Sequence, residues 1–330
     1  MELALELFNG QGLGNQIFCI TSLYKLASLL KRKPVIFNYC NYKGEHFFPI
    51  NKSVFIVKDN ISHYKYEEIS DLVKQDLISG LDKTDHRDFI YSLYKSKNSK
   101  IIITGNLQNE FFIPEKEDLL KIFPSLEELK EIESLKKDEL IIHIRGGDYK
   151  KTLAKPTSNY YQNCIHYFDN DLNIKNKKYI VCDDHDYAKQ ILPNIKIISE
   201  FLDDYSDSKR ASHHIGSSIE KDFLSLIKAK YAIIPASTFS LWARIFAHTL
   251  YNDAITLGPL HWYGYRLGKL FSSPLRYSYS DFFYMDKKGK IHNYKNIKNN
   301  FKNYFFIKNI NLNSKIRTII NLILINLFRK

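Results

Sequence analysis

Apolar and polar positions alternate between two periods from the start of the chain. Leu3-Ala4-Leu5-Glu6-Leu7-Phe8-Asn9 reads as a buried strand, and the turn Gly10-Gln11-Gly12-Leu13-Gly14 follows it. Apolar residues then recur at helical spacing from about Asn15 to Leu30, at Ile17, Ile20, Leu23, Leu26, Ala27 and Leu30. Lys31-Arg32-Lys33-Pro34 ends that helix, and Val35-Ile36-Phe37 is the next strand. Strand, glycine turn, helix, strand is the opening of a βαβ unit. Residues 40–100 are less regular, with helices expected near 65–80 and 86–95. Lys100 to Gly105 reads as a strand and Asp118 to Leu135 as a helix.

A second series begins after the polar patch Lys136-Lys137-Asp138-Glu139, the expected domain boundary. Strands are expected at 140–144, 178–182, 195–198 and 231–235. Helices are expected at 160–168, 221–229 and 241–250. Strands alternating with helices imply an α/β fold, its parallel sheets covered on both faces. The expected division is an N-terminal Rossmann-like unit over 1–137, a second over 138–285, and a basic tail over 286–330. The stretch 286–310 is rich in Asn and Lys and is expected to be loosely packed.

Composition narrows the class. The chain has 330 residues, 44% hydrophobic and 25% charged, which is a globular profile. Its net charge of +12 is concentrated at the end. From Lys287 to Lys330 there are nine Lys, two Arg and no Asp or Glu, so residues 1–286 are near neutral. A nucleic-acid enzyme would carry its charge across a folded face, so no nucleic-acid partner is expected. Cys19, Cys40, Cys164 and Cys182 are widely separated and fit reduced core thiols better than a disulfide or zinc site. The N-terminus lacks the pattern of a signal peptide, and no run of 18 apolar residues is present. In the tail, Leu312, Ile316, Ile319, Ile320, Ile323, Leu324 and Leu327 form one helical stripe, with Lys315, Arg317, Arg329 and Lys330 elsewhere. Such a helix suits either an anionic membrane surface or docking on the body.

Candidate chemistry sits where strands end and helices begin, the place where open α/β sheets bind ligands. Gly12-Leu13-Gly14-Asn15-Gln16 allows close backbone approach to a phosphate at a helix N-terminus. His143-Ile144-Arg145-Gly146-Gly147-Asp148-Tyr149 delivers a guanidinium into a two-glycine turn, a diphosphate clamp or an Arg–Asp pair closing the turn. His143 also reads as a satisfied core histidine. In Asp183-Asp184-His185-Asp186, the Asp184 and Asp186 pair matches a metal motif, while a carboxylate there can instead accept from guanine or brace a loop. Ser237-Thr238-Phe239-Ser240-Leu241-Trp242 can cap a helix and bind phosphate with the same N–H groups.

Together these segments resemble the bacterial and animal α-1,2-fucosyltransferases of glycosyltransferase family eleven. The family's G-G-L-G-N-Q-x-F run is matched by Gln11 to Phe18, and its G-x-x-Q-S-E-x-Y-F segment by Gly105 to Phe112. H-x-R-R-G-D-Y aligns with His143 to Tyr149, S-D-D with Cys182 to Asp184, and the run ending N-S-T-F-S-W-W with Lys221 to Trp242. P-x-x-W fits Pro259 to Trp262. The chain departs from the pattern at Gln11, Gly146, Ala236 and Leu241.

The resemblance implies a GT-B fold of two Rossmann-like domains facing across a cleft. It implies inverting transfer of fucose from GDP-fucose to a sugar hydroxyl, without a metal or other cofactor. On this basis Arg145 contacts the diphosphate; Gly14, Asn15, His143, Gly146, Asp183, Ser237, Thr238, Phe239 and Ser240 line the donor site; and Asp148 is the candidate base or a brace for Arg145. The acceptor would be an oligosaccharide or lipid-linked glycan, with the enzyme cytoplasmic or peripheral on the inner membrane face. Alternatives are a transferase using GDP-mannose, a metal-dependent one using Asp184 and Asp186, and a non-catalytic nucleotide-sugar binder.

Overall fold

The computed structural model describes residues 1–62, 64–70, 90–105, 107–108, 110–132, 136–151, 157–175, 177–200, 217–260, 262–266, 269–273, 279, 281–299 and 306–309. The first sheet is built from β1 (Glu2–Glu6), β2 (Lys33–Phe37), β3 (Ile56–Lys58), β4 (Glu67–Ser70) and β5 (Lys100–Thr104), in the order β3-β2-β1-β5-β4. All its pairings are parallel. Helix α1 (Leu13–Leu29) carries the chain from β1 to β2.

The second sheet uses β6 (Lys136–Ile144), β7 (Lys177–Cys182), β8 (Lys196–Ile197), β9 (Ala229–Ile233) and β10 (Ile255–Pro259). After the hairpin of β11 (Trp262–Arg266) and β12 (Lys269–Ser273), β13 (Phe283–Met285) and β14 (Ile291–Asn293) complete it in the order β14-β13-β10-β9-β6-β7-β8. Only β14 runs antiparallel to its neighbour. A small antiparallel sheet joins β11, β12 and β15 (Phe306–Asn309).

In both large sheets the first strand is central. The chain moves outward on one side, through β2 and β3 or β7 and β8, then crosses to the other side. The carboxyl ends of β1 and β6 are therefore the switch points at which such sheets open a crevice.

The other helices are α2 (Lys116–Ile122), α3 (Ser125–Ile132), α4 (Ser158–His166), α5 (His185–Ile191), α6 (Ser217–Lys228), α7 (Thr238–Leu250) and α8 (Tyr294–Asn299). One apolar core joins the two large sheets, running from Leu3, Leu5 and Ile101 to Ile141, Val181 and Ala232. Its middle is aromatic. Phe18 of α1 meets Trp242 of α7 edge-on at 5.0 Å, and Phe48 packs on Phe123 and Phe246 at 4.7 Å each. Burying rings of this size is the largest apolar contribution available to a core.

Several local expectations change. The helix expected near 65–80 is strand β4 over its described part, because Ile69 pairs beside Ile103 on an already formed parallel sheet and tertiary pairing overrides the local pattern. Residues 90–95 are helical, whereas 86–89 lie outside the described residues. The helix expected from 118 to 135 divides into α2 and α3 at Pro124, which disfavours helical backbone at Phe123 (φ −124°, ψ 79°). The polar patch Lys136–Glu139 is the first half of β6, with a register shift between Lys136 and Leu140. The stretch expected to be loose contains β14, α8 and β15. All four cysteines are free thiols, Cys40 exposed and the others buried. The apolar stripe of the tail lies outside the described residues. Among the described residues, no helix is long and apolar enough to cross a membrane.

Candidate active site

The glycine turn after β1 brings two helix N-termini into contact. A Cβ on Gly14 would lie 2.3 Å from the Thr238 carbonyl carbon and 2.5 Å from the Phe239 nitrogen. Only glycine allows the first turn of α1 to touch the first turn of α7 this closely. Each helix start carries N–H groups without intrahelical acceptors and a partial positive charge. In α1 the Asn15 and Gln16 N–H groups donate to Gly12 O at 3.0 and 3.1 Å, and in α7 the Leu241 N–H donates to Ser237 O at 2.9 Å, so the N–H groups that precede them are the candidates for an anion. Two such ends facing each other make a strong local preference for an anion.

Asn15 and Gln16 fix this junction from opposite sides. Asn15 Oδ1 accepts from Thr238 Oγ1 at 2.8 Å and from Gln108 Nε2 at 2.6 Å, tying α1, the loop after β5 and α7 together. Gln16 is fully buried, and its amide clamps the loop after β2. Its Nε2 donates to Asn41 O at 2.6 Å, and its Oε1 accepts from the Lys43 backbone N–H at 2.9 Å. Lys43 is thereby held at the carboxyl edge of the first sheet.

Arg145 enters from the end of β6. Its Nη1 lies 2.7 Å from Asp183 Oδ2, and Asp183 Oδ1 accepts the Gly146 N–H at 2.6 Å. The Asp183 side chain is 5% exposed and that of Arg145 19%, so the pair is covered on the aspartate side and reachable on the arginine side. The Arg145 guanidinium also lies 5.6 Å from the centre of the Tyr149 ring. Tyr149 Oη donates to Ala236 O at 2.7 Å, linking the arginine turn to the segment before α7. Of the two roles read from sequence for this carboxylate, contacting the guanine or bracing a loop, the geometry is that of the brace.

The remaining motif residues separate by burial. His143 is 3% exposed, packs 5.7 Å from the Phe239 ring, and gives its backbone oxygen to the Tyr161 hydroxyl at 3.1 Å. Ser240 is fully buried and donates to Ser237 O at 3.3 Å. Ser237 is the extended N-cap of α7, and Phe239 packs on Phe223 at 5.1 Å. These side chains shape the start of α7 and leave its backbone N–H groups as the groups that could meet an anion. Asp148 belongs to the short 3₁₀ turn Gly147–Lys151, and its side chain lies outside the described residues.

Asp184, half of the metal motif, is already engaged. It caps α5 by accepting the Tyr187 N–H at 2.9 Å and forms an ion pair with Lys150. Asp186 lies in the first turn of α5. Among the described residues no group of three or more His, Cys, Asp or Glu side chains converges on one point.

Two further groups lie near the site: Lys43 falls in no motif, and Asp222 falls within the run from Lys221 to Trp242. Burial, and after it the charge of Arg145, holds the Lys43 ammonium below the usual lysine range, which places the two cations within electrostatic reach of each other. Asp222 accepts from Ser199 Oγ at 2.8 Å, and Ser199 Oγ in turn accepts the Cys182 N–H at 2.8 Å. Burial first, then the charges of Asp183 and Glu200, push the Asp222 carboxyl up to about 7 against the opposing hydrogen bond from Ser199. Gln108 could have been read from the G-x-x-Q segment.

A family model for glycosyl transferase family 11 matches residues 9–269. No curated protein sequence matches the chain. Among solved structures, fucosyltransferase NodZ from Bradyrhizobium is 13% identical with a TM-score of 0.47, covering 88% of this chain and 97% of its own. POFUT1 in complex with GDP-fucose is 10% identical at a TM-score of 0.40, over 77% of this chain and 95% of its own. A glycosyl transferase of family 9 from Veillonella parvula is 11% identical at a TM-score of 0.43, over 98% and 97%.

Proposed function

The chain belongs to glycosyl transferase family 11, and from that premise we propose that it moves L-fucose from GDP-fucose to a sugar hydroxyl with inversion, in α-1,2 linkage and without a metal. The observation that carries the reading is Arg145, held by buried Asp183, left reachable, and linked through Tyr149 to the segment before α7.

Transfer breaks the bond between the sugar C1 and the β-phosphate oxygen while the acceptor oxygen bonds to C1. The acceptor proton goes to a base, and negative charge collects on the departing phosphate. Fixed donors aimed at that charge stabilise the transition state more than water does, since they need no reorientation. Arg145, the N–H of Gly147 and the first turn of α7 are such donors, the Gly146 N–H being given to Asp183 Oδ1. Asp148 is the candidate base on this reading, and the N-terminal sheet carries the acceptor, an oligosaccharide or lipid-linked glycan of surface polysaccharide synthesis. The basic tail would hold the enzyme on the inner face of the cytoplasmic membrane. Equal binding of anionic vesicles by the full chain and by one stopped near Asn311 would remove that last element.

A panel of GDP-fucose, GDP-mannose and UDP-sugars, assayed with and without EDTA, tests the donor, and linkage analysis of the product tests the α-1,2 bond. Turnover of GDP-fucose alone, unaffected by EDTA, is the expected result. Preference for GDP-mannose, or loss of turnover on chelation, would replace the proposal with one of its rivals.

A further inference from the structure

We propose that Lys43 supplies a second cation to the donor diphosphate, from the opposite sheet to Arg145; this rests on the reading of the site as a nucleoside-diphosphate-sugar site. Lys43 has no place in any of the sequence motifs. Its backbone N–H is pinned 2.9 Å from Gln16 Oε1, and Gln16 is itself fully buried at the start of α1. The residue before Gln16, Asn15, bonds Thr238 of α7, and Gly14 abuts the Thr238 backbone. Lys43 is therefore fastened to the element that touches the second sheet's anion-binding turn, and it is half-buried there.

Burial, and after it the charge of Arg145, disfavours the protonated form of Lys43. Two cations from separate sheets are thus kept within electrostatic reach of each other at the meeting of two positive helix ends. In the empty protein Asp183 balances the charge of Arg145, while burial still disfavours the Lys43 ammonium. A dianionic phosphate bridge between the two cations offsets that desolvation. A diphosphate offers a charged group to each cation, whereas a nucleoside offers none.

The test is calorimetric binding of GDP, GMP and guanosine to wild type, Lys43→Met and Lys43→Arg. Methionine preserves the apolar stem and removes the charge. Losing one charge-assisted contact should weaken GDP by about tenfold or more while changing guanosine by less than about twofold. Arginine should keep most of the GDP affinity. The ratio of GDP to guanosine affinity is the readout, so a fraction of unfolded variant does not mimic the effect. An unchanged ratio in Lys43→Met overturns the proposal. Wild type that binds UDP or ADP as tightly as GDP would instead sink the guanine reading, and the same diphosphate-to-nucleoside ratio on that base would then judge Lys43. Wild type that binds no nucleotide overturns both.

Discussion

Arg145 and Asp183 are joined at 2.7 Å, and the same carboxylate holds the Gly146 N–H at 2.6 Å. One buried aspartate thus holds both the guanidinium and the backbone at the start of the turn. Arg145→Ala should cost about 2–4 kcal/mol of transition-state stabilisation, the usual loss for one such donor. Lysine should rescue poorly, since a point charge does not reproduce a planar fork. If Asp183 acts through Arg145, the Asp183→Ala, Arg145→Ala double variant should be hardly worse than Arg145→Ala alone in kcat/KM. Additive losses would show a separate contact of Asp183 with substrate.

Gly14 is the point at which the two sheets' helices meet. An alanine methyl there would overlap the Thr238 backbone, which has no flexible side chain to move aside. Gly14→Ala should lower stability by about 1–3 kcal/mol, the typical cost of overpacking. It should also reduce kcat/KM, because moving α1 away from α7 breaks the bonds from Asn15 to Thr238 and displaces Lys43 through Gln16. Thermal unfolding and steady-state kinetics on one preparation check both. A fully active, equally stable variant would mean that the helices separate without consequence.

The sheets were readable because their strands are apolar runs followed by glycine turns, as in Leu140–Ile142 and Ile101–Ile103. The arginine turn and the start of α7 were readable for a related reason: chemistry at a strand end interrupts an apolar pattern. What escaped depends on contacts distant in sequence. Nothing local distinguishes Asp183 as a brace from a ligand, because its partners are 37 and 38 residues away. Lys43 looks like any loop lysine until Gln16, 27 residues earlier, is seen to hold it. Strand β4 was hidden for the same reason, since Glu67-Glu68-Ile69-Ser70 gains its form from pairing with β5.

Gly146 departs from the H-x-R-R pattern that the sequence resembles, and the turn leaves no room for a side chain there. A Cβ at this position would lie 2.5 Å from Asp184 Cβ, on the residue that caps α5. Gly146→Arg should therefore impair both activity and stability. Loss of the cap alone is worth about 0.5–2 kcal/mol. Asp184→Gly removes the colliding atom, so adding it to Gly146→Arg should recover part of the stability lost, measured by urea midpoint. Ala at 184 should recover less, because its Cβ remains. A Gly146→Arg enzyme as stable as wild type would show that the turn adapts.

Asp222 gives the fold a pH dependence with a definite sign. Its carboxyl is pushed up to about 7 in the folded protein, mainly by burial, well above the ordinary aspartate range it regains on unfolding. Between about pH 4 and 7 the folded protein holds a proton that the unfolded chain has lost, so this group's contribution to stability falls as pH rises through that window and is level above it. Across that window the loss amounts to about 1.4 kcal/mol for each step of one in pH. Asp222→Asn keeps an acceptor for the Ser199 hydroxyl and removes the titration. Its stability relative to wild type should therefore increase from about pH 5 to about pH 8, read from urea unfolding at matched ionic strength. The comparison between the two proteins cancels the other titrating groups, so parallel profiles would show that Asp222 is ionised in the folded state throughout.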